Sequence, residues 1–161
     1  MGKNLRSPCV GVCSTGVSDN VCRGCKRYAH EVIHWNTYTD EQRQAVISRL
    51  ESLLVTVVKN YLQPTDFKRI EQLARDRDIE SLFPDNPYGV LYGLLMAGAS
   101  QMVPTEDFGF TVVPEKSHLH LAEIRSLLEK DYYALCEAHY HRYFAAEHRP
   151  VVCPDTLTLQ S

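Results

Sequence analysis

The residues with the clearest capacity for chemistry are four cysteines near the start of the chain. Cys9, Cys13, Cys22 and Cys25 follow the spacing C-x3-C-x8-C-x2-C. Four thiolates this close together can close a tetrahedral shell around one zinc ion, or hold a [2Fe–2S] or [4Fe–4S] cluster. The spacing therefore predicts a metal site built from these four side chains, and it leaves an iron–sulfur cluster and zinc both open.

The segment that carries the cysteines needs a metal to become ordered. Residues 1–26 are rich in Gly, Ser, Pro and Asp and hold too few apolar residues to build a core. Arg23, Lys26 and Arg27 are close to the thiols in sequence. They would offset the roughly two net negative charges that four thiolates leave on zinc or on a [4Fe–4S] cluster. A working dithiol at the C-x2-C pair is the competing interpretation, but no hydrophobic strand precedes that pair.

The N-terminus is polar and lacks the apolar core of a secretory signal, which predicts a cytoplasmic protein without a membrane segment. In a reducing compartment, clustered cysteines serve as metal ligands or catalytic thiols rather than as disulfides. The net charge of −3 argues against a chain that coats nucleic acid over its whole surface. Residues 1–27, however, hold five basic residues against Asp19 alone, so this segment is a candidate contact for an acidic partner such as structured RNA.

The remainder of the chain predicts a mainly α-helical body with a small β component. A capping box at residues 39–42 opens a long helix that we expect to reach about Leu62, just before Pro64. Further elements are predicted by apolar periodicity and end signals: helices at 27–36, 66–77, 85–102 and 120–146, and strands at 108–113 and 79–83. The chain thus divides into a four-cysteine module at 1–38, a helical body at 39–150 with one or two short strands, and a disordered tail at 151–161.

The segments around the cysteines resemble a known family. The resemblance rests on Pro8-Cys9-x-Gly11-x-Cys13, Cys22-Arg23-Gly24-Cys25-x-Arg27, Glu31-x-Ile33-x-Trp35 and the acidic helix start Asp40-Glu41. In order and spacing these are similar to the bacterial domain-of-unknown-function family 1289, over about residues 7–52. The resemblance implies that the four cysteines are ligands of an iron–sulfur cluster. It implies no function for the region from Leu53 onward.

Other residues capable of chemistry do not predict a second site. His30 and His34 lie one helical turn apart, but four cysteines already complete a ligand shell. Trp35 is predicted to anchor the module on the next helix, and Cys136 lies on the apolar stripe of the last helix. The sequence shows no nucleophile–base pair, phosphate loop or dinucleotide motif, so nothing in it favours an enzyme.

Two functions follow from these features. The first is an iron–sulfur protein in which Cys9, Cys13, Cys22 and Cys25 hold a cluster for electron transfer, sensing or structural support. The second is a zinc-stapled interaction module that binds a protein partner or structured RNA through its basic N-terminal segment.

Overall fold

The computed structural model of the chain describes residues 5–11, 13–98 and 101–144. Five α-helices and one two-stranded sheet lie in these ranges, which confirms a mainly α fold with a small β component. The elements are α1 (Ala29–His34), α2 (Asp40–Val58), β1 (Leu62–Pro64), α3 (Phe67–Asp76), α4 (Pro87–Gly98), β2 (Phe110–Val112) and α5 (Leu121–Tyr143). The tail predicted at 151–161 and the last residues of the helix predicted at 120–146 lie outside the described residues.

Helix α2 is the central element of the body, and its start confirms the predicted capping box. The Thr39 hydroxyl accepts the backbone N–H of Gln42 at 3.3 Å, and the Gln42 side chain accepts the N–H of Thr39 at 2.9 Å. These two bonds satisfy N–H groups that have no partner inside the helix. Further along, Leu50, Leu54 and Val58 are fully buried, since α2 packs against both α4 and α5.

The prediction that this helix reaches Leu62 is wrong. The helix ends at Val58, and a tight turn leads into β1, where Leu62 pairs with Val112 and Pro64 with Phe110 in an antiparallel register. Leu62 and Phe110 are both fully buried in this pairing. Burying two large apolar side chains and forming a strand pair outweighs one more helical turn, which no local sequence signal reveals.

The two predicted strands have different outcomes. The strand predicted at 108–113 is confirmed over Phe110–Val112, whereas the strand predicted at 79–83 is wrong, because residues 79–83 form a loop between α3 and α4. Phe83 is nevertheless buried in this loop. An apolar side chain can therefore be buried from a loop as well as from a strand. The apolar residues at 79–83 indicate burial but do not determine the backbone conformation.

The core of the described chain lies between α2, α4 and α5, and the two-stranded sheet closes one end of it. In the C-terminal half of α5, Tyr132 and Cys136 are buried on the side that meets the cysteine segment. Among the described residues, no helix is both long enough and apolar enough to cross a membrane.

Candidate metal centre

The backbone holds Cys22 and Cys25 in a short turn. An isolated antiparallel bridge between Val21 and Tyr28 closes the base of this turn. Inside it, the Cys22 N–H donates to the Arg27 carbonyl and the Lys26 N–H donates to the Cys22 carbonyl, both at 2.8 Å. The two cysteines are buried, with 1% and 8% of their surfaces exposed. Backbone hydrogen bonds therefore fix the positions of both side chains, as a metal-binding turn requires.

The Cys22 thiol accepts several hydrogen bonds that stabilise its ionised form. Burial by itself raises the pKa of this thiol, but backbone N–H groups of Cys25, Ser14 and Gly24 point at the sulfur, and the Cys25 side chain adds a further hydrogen bond. Together these donors lower the pKa of Cys22 to about 7 from the usual 9.0. Metals bind thiolates, and N–H donors to a thiolate sulfur are typical of metal sites.

Cys25 lies in a different environment. Burial raises the pKa of its thiol above the usual value, and the Arg27 guanidinium opposes this change. The Arg27 Nε donates to the Cys25 sulfur at 3.3 Å, and the same guanidinium lies 4.8 Å from the centre of the Trp35 ring. Arg27 and Trp35 are both almost fully buried, with 3% and 6% exposed. Trp35 is thus the predicted core anchor, and it also holds in place a cation that contacts a cysteine sulfur.

Cys9 and Cys13 lie on the arm that precedes this turn, and both are exposed. The Cys9 sulfur accepts the N–H of Gly11 at 3.4 Å, and the Cys13 sulfur is 3.0 Å from the Thr15 hydroxyl. The arm reaches the turn through Ser14, whose N–H donates to the Cys22 sulfur and whose hydroxyl accepts the Arg23 N–H at 2.8 Å. Cys13 is therefore one residue away from a group that touches the Cys22 sulfur.

The structure brings together Cys22 and Cys25 but does not gather all four thiols. Across residues 5–11, 13–98 and 101–144, no three His, Cys, Asp or Glu side chains form a group that could hold a metal ion. The two buried thiols and their N–H donors are in place, whereas Cys9 and Cys13 point their sulfurs at local partners. Assembly of a four-sulfur shell requires the arm to turn these two sulfurs inward.

A buried lysine connects the turn to the helical body. Lys26 is 1% exposed and has a left-handed backbone, with φ of 63°, which a residue other than glycine seldom adopts. Its ammonium donates to the carbonyls of Arg23 at 2.6 Å and Gly24 at 3.2 Å, and to the Glu129 carboxylate of α5 at 3.3 Å. It also lies 5.3 Å from the centre of the Tyr132 ring. These contacts hold the backbone between the two cysteines against α5.

A second set of contacts attaches α1 to the body. The Glu31 carboxylate accepts the Tyr28 N–H at 2.8 Å and receives two hydrogen bonds from the Arg49 guanidinium of α2. That guanidinium lies 3.8 Å from the centre of the Tyr28 ring. Tyr28 is fully buried, and its hydroxyl is 2.9 Å from Nδ1 of His139 in α5. Burial raises the pKa of Tyr28 to about 12, so the phenol keeps its proton.

The remaining residues singled out in the sequence have structural roles. His34 is exposed and His30 is half-buried beside the Phe144 ring, with centroids 5.1 Å apart. Cys136 is fully buried in α5, and burial raises the pKa of its thiol to about 12, so it behaves as an apolar side chain. In α5, Glu137 accepts the Tyr133 hydroxyl at 3.0 Å.

Comparison with known proteins tests the family resemblance. Residues 7–53 match the model of the protein family DUF1289. The function of this family is unknown, and the match confirms the resemblance drawn from the cysteine pattern. No curated protein and no solved structure matches the chain.

The DUF1289 segment contains all four cysteines, Trp35 and the larger part of α2. Its Glu31–Arg49 ion pair is internal to the segment, so α1 and α2 are joined by residues within it. Glu129, Tyr132 and His139, by contrast, come from α5 and lie outside it. The region after residue 53 therefore supplies the surface on which the cysteine turn rests.

Sequence reasoning named Lys26 and Glu31 but missed that both are buried in ion pairs, and it missed their partners Glu129 and Arg49 altogether. A charged residue in a polar segment normally faces solvent, and nothing local distinguishes Lys26 from Arg23, which is exposed and pairs with Asp19. Glu31 three residues after Tyr28 is a helix-start pattern, but Tyr is not a usual N-cap residue.

Proposed function

We propose that the DUF1289 segment binds an iron–sulfur cluster through Cys9, Cys13, Cys22 and Cys25, for electron transfer, sensing or structural support. The observation that carries this proposal is the set of N–H donors aimed at the Cys22 sulfur, together with the pKa of about 7 that they produce. A buried thiol without such donors stays protonated and acts as packing, as Cys136 does. The local backbone thus favours the ionised, ligating form of Cys22.

The position of the arm supports participation of Cys9 and Cys13. Ser14 contacts both the Cys22 sulfur and the Arg23 backbone, so the chain at Cys13 already runs along the turn. Within the described part of the chain, the two outer sulfurs make one backbone contact and one hydroxyl contact, both weak bonds for sulfur. A metal–thiolate bond is far stronger than either, so ligation by these two cysteines needs rotation of the arm and no unfolding of the body.

The charges around the turn support a cluster with net negative charge. Arg27 contacts the Cys25 sulfur, and the Lys26 ammonium lies behind the same turn, and both side chains are buried. A [4Fe–4S] cluster in its 2+ state with four thiolates carries a net charge of about −2, which the buried Arg27 offsets in part, whereas Lys26 is already paired with Glu129. Cations and N–H donors close to the sulfurs stabilise the reduced form and so raise the reduction potential.

The alternative is a zinc ion on the same four thiolates, in a module that binds another macromolecule. A protein partner is compatible with this geometry, whereas binding of RNA by the basic segment receives less support. Lys26 and Arg27 are buried, and Arg23 is paired with Asp19, so few of the cations counted in the sequence are available to phosphates.

The proposal is tested with cysteine variants of the full chain, purified and reconstituted with iron and sulfide under anaerobic conditions. Cys9→Ser, Cys13→Ser, Cys22→Ser and Cys25→Ser should each reduce the visible absorbance of the cluster, since serine is a poor ligand for iron. Cys136→Ala is the matched control, because it removes a buried thiol from α5 and should leave the absorbance unchanged.

Two results would contradict the proposal. If Cys9→Ser and Cys13→Ser bind as much iron and sulfide as the wild type, the four-cysteine shell is wrong. If the wild type takes up one zinc ion and develops no visible absorbance on reconstitution, the zinc module replaces the cluster.

A further inference from the structure

A cavity of about 580 Å³ separates the cysteine segment from the helical body. Pro8, Val10, Gly24 and Cys25 line one side of it, and residues of α4 and α5 line the other. This volume lies within the range of small-molecule sites, which occur preferentially where two structural units meet. The cavity adjoins Cys25 but contains none of the other three cysteines.

The wall on the side of the body is apolar and aromatic. Its main residues are Leu54, Phe83, Tyr92, Met96 and Tyr132. Phe83 approaches α4 closely because residue 89 is a glycine, where an added Cβ would be only 2.6 Å from the Phe83 Cβ. Three aromatic side chains and an adaptable methionine around one space suit a planar ring system.

Among the charged residues that line the cavity, the two acids have ion-pair partners in the described part of the chain and the arginine does not. The Glu129 carboxylate is matched by the buried Lys26 and also accepts the Tyr92 hydroxyl. The other acid, Glu80, is paired with Arg6. Arg125 of α5 lines the cavity, is exposed, and has no ion pair within the described part of the chain. The site therefore offers one guanidinium whose charge is unmatched, next to an apolar space.

We propose that this cavity binds an aromatic organic acid, with its ring system between the aromatic side chains and its anionic group at Arg125. A guanidinium binds a planar or tetrahedral anion through two parallel N–H bonds, and the apolar wall stabilises the rest of the molecule. The proposed site goes beyond the metal centre, because Cys25 is the only one of the four cysteines in the cavity wall. Pro8 and Val10 belong to the arm and would move if it closed on a metal, so the ligand contacts that carry the proposal are those of α4 and α5.

The test uses two fluorescent probes that differ by one charge: 1-anilinonaphthalene-8-sulfonate and its uncharged parent N-phenyl-1-naphthylamine. Both are titrated into the full chain, and the ratio of their dissociation constants is compared with the same ratio in Arg125→Gln. Arg125→Gln should lower the preference for the sulfonate about tenfold, the loss expected for one charge-assisted contact. Arg125→Lys should keep part of that preference. Arg142→Gln, the same change elsewhere on α5, should keep it fully.

A second variant locates the probes. Ala97 lines the cavity and is exposed, so Ala97→Trp should fill the space, leave the core intact and weaken binding of both probes at least tenfold. Near-ultraviolet circular dichroism confirms that each variant is folded. An unchanged probe ratio in Arg125→Gln, or unchanged binding in Ala97→Trp, overturns the proposal. Metal content measured on the same samples keeps this result separate from that of the cluster assay.

Discussion

Replacing Lys26 by methionine tests whether the cysteine turn depends on its contact with α5. Methionine is unbranched and only one atom shorter than lysine, and it removes the ammonium, so three hydrogen bonds are lost. Two go to the carbonyls of Arg23 and Gly24 inside the turn, and the third goes to the Glu129 carboxylate. The left-handed backbone at residue 26 then loses the contacts that hold it.

The expected cost follows from these contacts. Each of the two bonds from a charged donor to a carbonyl contributes about 1.5 kcal/mol. The Glu129 side chain is 42% exposed, so screening limits its ion pair with Lys26 to at most ~1 kcal/mol. Methionine is more apolar in the same buried position and returns about 1 kcal/mol. The net loss is about 2–3 kcal/mol, which lowers the melting temperature of a chain of this size by roughly 5–10 °C.

Differential scanning calorimetry of the metal-loaded protein measures this loss. Lys130→Met is the matched control, because Lys130 is an exposed residue of α5, and its Tm should stay within about 1 °C of the wild type. The reasoning is refuted if Lys26→Met also melts within about 2 °C of the wild type, since the ammonium would then contribute nothing to the junction.

Two further predictions concern the body. Gly89→Ala should lower the free energy of unfolding by about 1–3 kcal/mol in urea titration, because the added Cβ would lie 2.6 Å from Phe83. An unchanged urea midpoint would contradict this, since Phe83 would then move aside without cost. Burial, followed by the charges of nearby arginines, lowers the pKa of His139 below the usual 6.5. The folded state then binds this proton less tightly than the unfolded state, so stability should fall as the pH decreases below about 6.5. His139→Asn, whose side-chain oxygen can accept the Tyr28 hydroxyl, should reduce that slope, whereas His141→Asn at an exposed position should retain it; equal slopes in both variants contradict the assignment.

Elements with strong local signals were predictable from the sequence. The capping box at Thr39 and the core position of Trp35 follow from residue types and short-range spacing, which the local backbone obeys. The family match over residues 7–53 rests on the same local pattern. Each of these features depends on residues that are close together in sequence, so it can be predicted without knowing the tertiary contacts.

Long-range pairings were not predictable in the same way. Leu62 leaves the helical pattern to pair with Val112, 50 positions later in the chain, and Lys26 is buried because Glu129 lies opposite it in the folded chain. In both cases the deciding contact lies far away in sequence, and the local preference points elsewhere. The outer cysteines show the same limit, since their spacing predicts a ligand set but does not predict that both are exposed and lie against local partners.

We propose that this chain holds an iron–sulfur cluster on four cysteines beside a buried lysine and arginine. The content of iron, acid-labile sulfide and zinc in the full chain purified without oxygen tests this proposal. We expect iron and sulfide in equal amounts, about two or about four of each per chain, with little zinc. One zinc per chain and no sulfide, or no bound metal at all, would contradict it.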